Sequence, residues 1–214
     1  MMLTVRAIKD YLRRADTLTE ADSAQGQEGS RIPHQRPVTE PSSDRGHPWP
    51  IRRRARLTAG FCWPWSNPNS DGTLVPDVKV GAWQMPWNAK PDAGRLAPGI
   101  PPSNFWASDP NGLDQVGCVY TAQGFEFDYV GVIWGRDLRW DPATNDWIGD
   151  PSHSHDSIVK RSGDRFTDLV KRTYRVLLTR GLKGCYVYFE DGATRLALEA
   201  ETSANGRRHK VFPM

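Results

Sequence analysis

The stretch VGCVYTAQGFEFDYVGVIWG, residues 116–135, decides how the rest of the chain is read. Its ends, 116–120 and 129–134, are rich in Val, Ile and aromatic residues, the composition of buried strands. Between them lies TAQGFEFD, too long for a two-residue hairpin and too polar for a core. In a parallel sheet covered on both faces, strands read as near-continuous apolar runs, and ligands bind at the strands' carboxyl ends. The clip after Tyr120 and the loop after Trp63 are therefore both expected at such ends.

The neighbouring segments fit the same plan. RLTAGFCW (56–63) reads as a strand that stops at Pro64, because proline cannot continue a central ladder. A short strand is expected over 78–83, before Pro86. Residues 89–111 form a Pro/Gly loop with Phe105 and Trp106 as packing anchors, and 136–161 form a second loop. DRFTDLVKRTYRVLLTR (164–180) has helical periodicity, with Phe166, Leu169, Val170, Thr173, Tyr174 and Leu177 on one stripe. Asp164 is placed to cap its start and Gly181 to stop it. GCYVYFE (184–190) is a further strand.

Outside this block the signal weakens. Residues 5–15 suit a short helix with Ile8, Tyr11 and Leu12 on one stripe. Residues 17–50 hold few aliphatic side chains, too few to offset the entropy of ordering, and are expected to be disordered. The expected organisation is a basic N-terminal arm (1–55), an α/β domain (56–191) and a polar tail (192–214).

The totals agree with a chain of 214 residues and 24.1 kDa built around one core. A mean hydropathy of −0.62, with 17 Pro and 9 Trp, points to long irregular loops held by aromatic anchors. No run approaches the roughly 18 apolar residues of a membrane span, and the N-terminus lacks the apolar centre of a signal peptide. Cys62, Cys118 and Cys185 share no metal-type spacing; reduced thiols and a cytoplasmic location are expected. The net charge of +3 arises wholly in residues 1–55, with ten Lys/Arg against seven Asp/Glu; the rest holds eighteen of each. Arg52-Arg53-Arg54 is the dense basic run, a weak signal for nucleic acid.

Several chemistries find no support. There is no G-x-S-x-G elbow, no H-E-x-x-H and no G-x-x-x-x-G-K-[ST] phosphate loop. His153 and His155 lie in a Ser/Asp loop with no third ligand indicated, so no metal site is expected.

TAQGFEFDYVGV (121–132) closely resembles the T-x-x-x-(Q/K)-G-x-E-F-x-x-V motif of superfamily 1 helicases, without its full initial spacing. YRVLLTRGLKGCYVY (174–188) resembles the last motif of those enzymes, an aromatic followed by V-A-L-T-R-A and a terminal strand. AGFCWPWS (59–66) and MPWN (85–88) resemble the Schlafen-like group of DNA/RNA helicase-domain proteins. The resemblance covers roughly residues 56–191 and implies a parallel-sheet α/β, RecA-like fold in three layers, the second motor domain of a P-loop ATPase. By the same resemblance, Gln123 and Gly124 face nucleotide and nucleic-acid backbone, Glu126 reaches the nucleotide sugar, and Arg180 contacts the γ-phosphate. Thr121 is a candidate nucleic-acid contact, and Tyr120 replaces the family's usual His beside it.

The first motor domain, with its phosphate loop and Mg²⁺ acid, has no counterpart here. ATP with Mg²⁺ is therefore expected only if another domain or a separate ATPase chain supplies it, and the chain alone is expected not to hydrolyse ATP. DNA or RNA, single-stranded, is the expected partner. The alternative is a non-catalytic nucleic-acid-binding or interaction module using Arg52–Arg54 and the Trp-rich loops. An unrelated small α/β enzyme is a third option, for which no nucleophile and base are visible. Residue by residue, Arg180 also fits a cation at a helix C-terminus, Glu126 a local cap, and Trp63, Trp65 and Trp87 loop anchors.

Overall fold

The computed structural model describes residues 4–25 and 55–204. In chain order its main elements are α1 (Val5–Gln25), β1 (Ala55–Ala59), β2 (Val78–Val80), β3 (Trp83–Met85), β4 (Val116–Gly117), α2 (Val119–Ala122) and β5 (Phe127–Trp134). There follow β6 (Leu138–Asp141), β7 (Asp146–Gly149), α3 (Ser157–Lys160), α4 (Phe166–Leu178), β8 (Gly181–Phe189) and α5 (Gly192–Ala204).

Strands β4, β1, β5 and β8 form one sheet in that order, and every pairing is parallel. Leu57 of β1 lies opposite Val116 on one side and Gly131 on the other. Along β5, side chains alternate between the two faces. Gly131 and Ile133 face α1, whose Val5, Ile8 and Leu12 are buried in the same cluster as Leu57. Val130, Val132 and Trp134 face α4, which buries Phe166, Val170, Tyr174 and Leu177 at helical spacing. Helices thus cover both faces, which is why the central strands are apolar throughout. The result is a three-layer α/β fold with long loops, consistent with the RecA-like parallel-sheet arrangement.

Several boundaries differ from expectation for identifiable reasons. Val119 and Tyr120, β-prone by type, open α2 because the Thr121 hydroxyl accepts a hydrogen bond from the Cys118 amide at 3.0 Å. That local cap outweighs strand propensity. Asp164 does not cap α4; it lies in a 3₁₀ turn, Gly163–Arg165, and the helix starts at Phe166. Gly181 opens β8, and Thr179 is the residue that ends α4. The loop expected over 136–161 contains the β6–β7 hairpin, with Trp140 opposite Trp147, and the short α3.

The tail forms α5, nucleated where the Asp191 carboxylate accepts from the Thr194 amide and hydroxyl. The first helix, expected over 5–15, runs to Gln25, and the folded body takes it in. Residues 26–54, including Arg52–Arg54, lie outside the described residues. The three cysteines are free thiols, and burial pushes Cys185 up to about 12. Among the described residues no helix is long and apolar enough to cross a membrane.

Candidate functional site

The clip between α2 and β5 is a crossover. It leaves the carboxyl end of β4, descends through α2 and delivers Gln123, Gly124, Phe125 and Glu126 to the amino end of β5. The expectation of a carboxyl-end turn therefore holds for Tyr120 and Thr121, which follow β4, but not for Gln123–Glu126. Gly124 makes the turn with φ +89°, a left-handed conformation that side chains other than glycine's adopt only under strain.

Arg180 meets the clip at this edge. It ends the α4–β8 connection, and its carbonyl accepts from the Phe127 amide at 2.8 Å. Its guanidinium donates through Nη1 to the Phe125 carbonyl (3.3 Å) and through Nε to the Val176 carbonyl (3.0 Å). The second bond joins the Thr179 hydroxyl on a carbonyl in the last turn of α4, so Arg180 does complement the helix C-terminus. Nη2 donates to the Thr179 hydroxyl at 3.4 Å, and each of these three acceptors is neutral. A β-bulge follows, where Phe127 pairs Gly181 but Tyr129 pairs Gly184; bulges of this kind re-aim strand ends beside functional sites. Gln123 and Glu126 are exposed, and among the described residues their side chains make no hydrogen bond or ion pair. No cap by Glu126 is formed.

On the other side of the clip lies an open cavity of about 590 Å³ lined by Lys90, Ser103, Asn104, Tyr120, Thr121 and Phe125. The Thr121 hydroxyl, accepting from the Cys118 amide, has one hydrogen to give, to Asn88 Oδ1 or the Cys118 carbonyl, each at 3.1 Å. A donor bond from it to a phosphate would displace these partners. Tyr120 presents its ring to solvent, with 53% of the residue exposed, while its hydroxyl donates to Asp156 Oδ2 at 2.6 Å. Burial of the hydroxyl tip, then the Asp156 carboxylate, raise its pKa, so it stays a neutral donor. Tyr120 is thus equipped to offer a flat apolar face. Asp156 carries no motif signal; only the tertiary meeting of α2 and α3 reveals it.

The tryptophans act as anchors. Trp63, Trp65 and Trp87 donate their indole N–H groups to the carbonyls of Lys79, Asn88 and Pro64. Among the described residues no group of three or more His, Cys, Asp or Glu is arranged to hold a metal ion.

These features sit in a region that comparison with known proteins recognises. Residues 50–191 match the family model described as Schlafen group 3, DNA/RNA helicase domain. The chain is 36% identical over 98 residues to the uncharacterized protein YPL245W of Saccharomyces cerevisiae, an alignment covering 42% of this chain and 21% of that protein. It therefore spans about a fifth of the length of the curated relative it matches. No solved structure matches. Because the matched span takes in the whole parallel sheet, the clip and Arg180, the chain belongs to the Schlafen group 3 DNA/RNA helicase-domain family.

Proposed function

We propose that this chain acts as the second RecA-like domain of a superfamily 1-type helicase, completing a nucleotide site whose phosphate loop lies on another domain or chain. One observation carries the reading: Arg180 and Phe125, 55 residues apart in sequence, are hydrogen-bonded, which brings the arginine to the turn of residues 123–126 at the amino end of β5. The residues fit one side of ATP. A permanently charged fork suits a phosphoryl group, and an exposed amide and carboxylate suit a sugar or base. They do not fit the metal: of the two carboxylates in the clip, Asp128 is paired with Lys183 at 3.2 Å, which leaves Glu126. Bound ATP·Mg²⁺ would supply the phosphoryl chemistry; the part of this chain is to orient the nucleotide and place positive charge beside it. Nucleic acid, single-stranded, is assigned to the cavity side of the clip, at Tyr120 and Thr121.

The test is hydrolysis with and without a chain bearing a phosphate loop. The chain alone is expected to give no turnover. The pair is expected to hydrolyse ATP, and Arg180→Ala to cost roughly 10³- to 10⁵-fold in kcat, the range for arginine fingers. Steady turnover by the chain alone, abolished by Arg180→Ala, would sink the reading. The second reading, a binding module without motor activity, draws on the exposed rings of Tyr120 and Phe125 beside the cavity. It predicts strand binding that persists in Arg180→Ala.

A further inference from the structure

The cavity beside the clip does not end at Tyr120. Across the ring a second cavity opens, about 490 Å³, bounded by Phe61, Trp65, His155 and Ile158, and it shares both Tyr120 and Lys90 with the first. Each is in the size range of small-ligand pockets. Tyr120 is the partition between them, and its setting is unusual for a residue 53% exposed. An exposed tyrosine ordinarily samples several rotamers. Here the hydroxyl is tied at 2.6 Å to Asp156, which is itself buried at 7% exposure. Asp156 is fixed in turn, because its Oδ1 accepts from the amides of Ile158 and Val159 as the N-cap of α3. Phe61 stands edge-on to the Tyr120 ring at 6.4 Å, and Trp65 is pinned through its indole N–H to the Asn88 carbonyl. The partition is pre-set before any ligand arrives.

We propose that Tyr120 is a stacking partition between two base-sized compartments of one single-strand path, and that Asp156 is the positioning residue that holds it. This rests on the nucleic-acid side of the proposed function and extends it to Lys90, Asp156 and Ile158, which lie outside the motifs discussed above. The occupant follows from the pattern of surfaces. Exposed flat rings, Tyr120 and Phe125, stand beside a cation, Lys90, in the wall the two cavities share. A single strand presents the matching pair, a π-face and then a phosphate, with every base able to stack. An amphipathic peptide helix needs an unbroken apolar stripe, which Lys90 interrupts. The Asp156 charge does not oppose a phosphate strongly, since three donors already face its oxygens. Pre-organisation is what the tether contributes: a ring already fixed loses less freedom on binding.

The experiment is fluorescence anisotropy with labelled dT12 and U12 on the full chain, with melting curves run in parallel. Tyr120→Ala is expected to weaken binding roughly 5- to 150-fold, the effect of losing one stacked base. Tyr120→Phe keeps the ring and loses the tether, and a loss of about 2- to 5-fold is expected. Asp156→Asn, whose amide can return only a neutral hydrogen bond to the hydroxyl, is expected to lose no more than Tyr120→Phe, and the double variant to be no worse than Tyr120→Phe alone, because both act on one contact. A merely structural role would lower the melting temperature without that non-additivity in affinity. Ile158→Glu, at a residue 70% exposed, puts a negative charge in the second compartment with no core to disturb, and weaker binding is expected. If neither oligonucleotide binds the wild-type chain, the nucleic-acid reading falls and this proposal with it. If they bind and Tyr120→Phe, Asp156→Asn and Ile158→Glu all match wild type, this proposal is overturned while that reading stands.

Discussion

Tyr174 joins two layers of the fold through one hydroxyl. It donates to Asp137 Oδ1 at 2.7 Å and accepts from the Gly135 amide at 2.9 Å, while its ring stacks on Trp134 at 4.0 Å. Tyr174→Phe keeps the stacking and leaves a buried amide and carboxylate short of a partner; about 1–3 kcal/mol of stability should be lost in urea unfolding. Asp137 is 3% exposed, and burial raises its pKa above the usual carboxylate range, more than the hydrogen bond from Tyr174 lowers it. The sign follows from linkage. Its contribution is fully present below the unfolded carboxylate pKa and is lost as pH rises through the higher folded value. Asp137→Asn has no such titration, so its stability relative to wild type should rise as pH climbs from the unfolded carboxylate value, about 4, through the higher folded one. A flat difference across that window would show that Asp137 is ionised in the fold at no cost. The exposed Asp71 and Asp141, whose pKa values are lowered by local hydrogen bonds, slope the other way and cancel in the difference.

Among the elements, α1 is the one whose role the sequence understated. Ile8 and Leu12 pack so closely on β5 that a Cβ at Gly131 would lie 2.8 Å from Ile8 and 3.0 Å from Leu12. Leu12→Ala is therefore expected to cost about 2–5 kcal/mol, and Gly131→Ala about 1–3 kcal/mol by forcing the helix off the sheet, both read from denaturant midpoints. Little change in either would mean that α1 leaves the sheet in solution. What the sequence did reveal depended on periodicity. The stripe of Phe166, Val170, Tyr174 and Leu177 and the runs of β5 and β8 are legible because burial on one or both faces imposes a pattern. α2 was not legible, since Val119 and Tyr120 favour strands and the cap that overrides them depends on Thr121 meeting the Cys118 amide. α5 did carry a signal, Asp191 three residues before Thr194 ahead of an Ala/Leu/Glu run, which polarity obscured. At the site, Gln123, Gly124, Glu126 and Arg180 were legible as a motif. Asp156 and the second cavity were not, because they exist only where α2, α3 and the 61–65 loop meet.

For the molecule as a whole, the distribution of charge separates the two ways it can hold a strand. Residues 56–214 carry eighteen Lys/Arg and eighteen Asp/Glu, so that span has no net charge of its own to draw a strand. The path across Tyr120 offers Lys90 in the wall its two cavities share. For single strands, log K falls with log salt at about −0.7 per phosphate neutralised, so one or two contacts predict a slope of roughly −0.7 to −1.4. Arg52, Arg53 and Arg54 lie outside the described residues; if they carried the affinity as well, three more contacts would steepen the slope by about 2. Measuring dT12 binding between about 50 and 200 mM salt, for wild type and for the triple variant Arg52→Ala, Arg53→Ala, Arg54→Ala, distinguishes them. A shallow slope unchanged in the triple variant assigns binding to the cavities, where stacking, insensitive to salt, supplies the remaining affinity. A steep slope that flattens by about 2 in the variant assigns it to the basic run, and the Tyr120 path would then have to act on a strand already captured elsewhere.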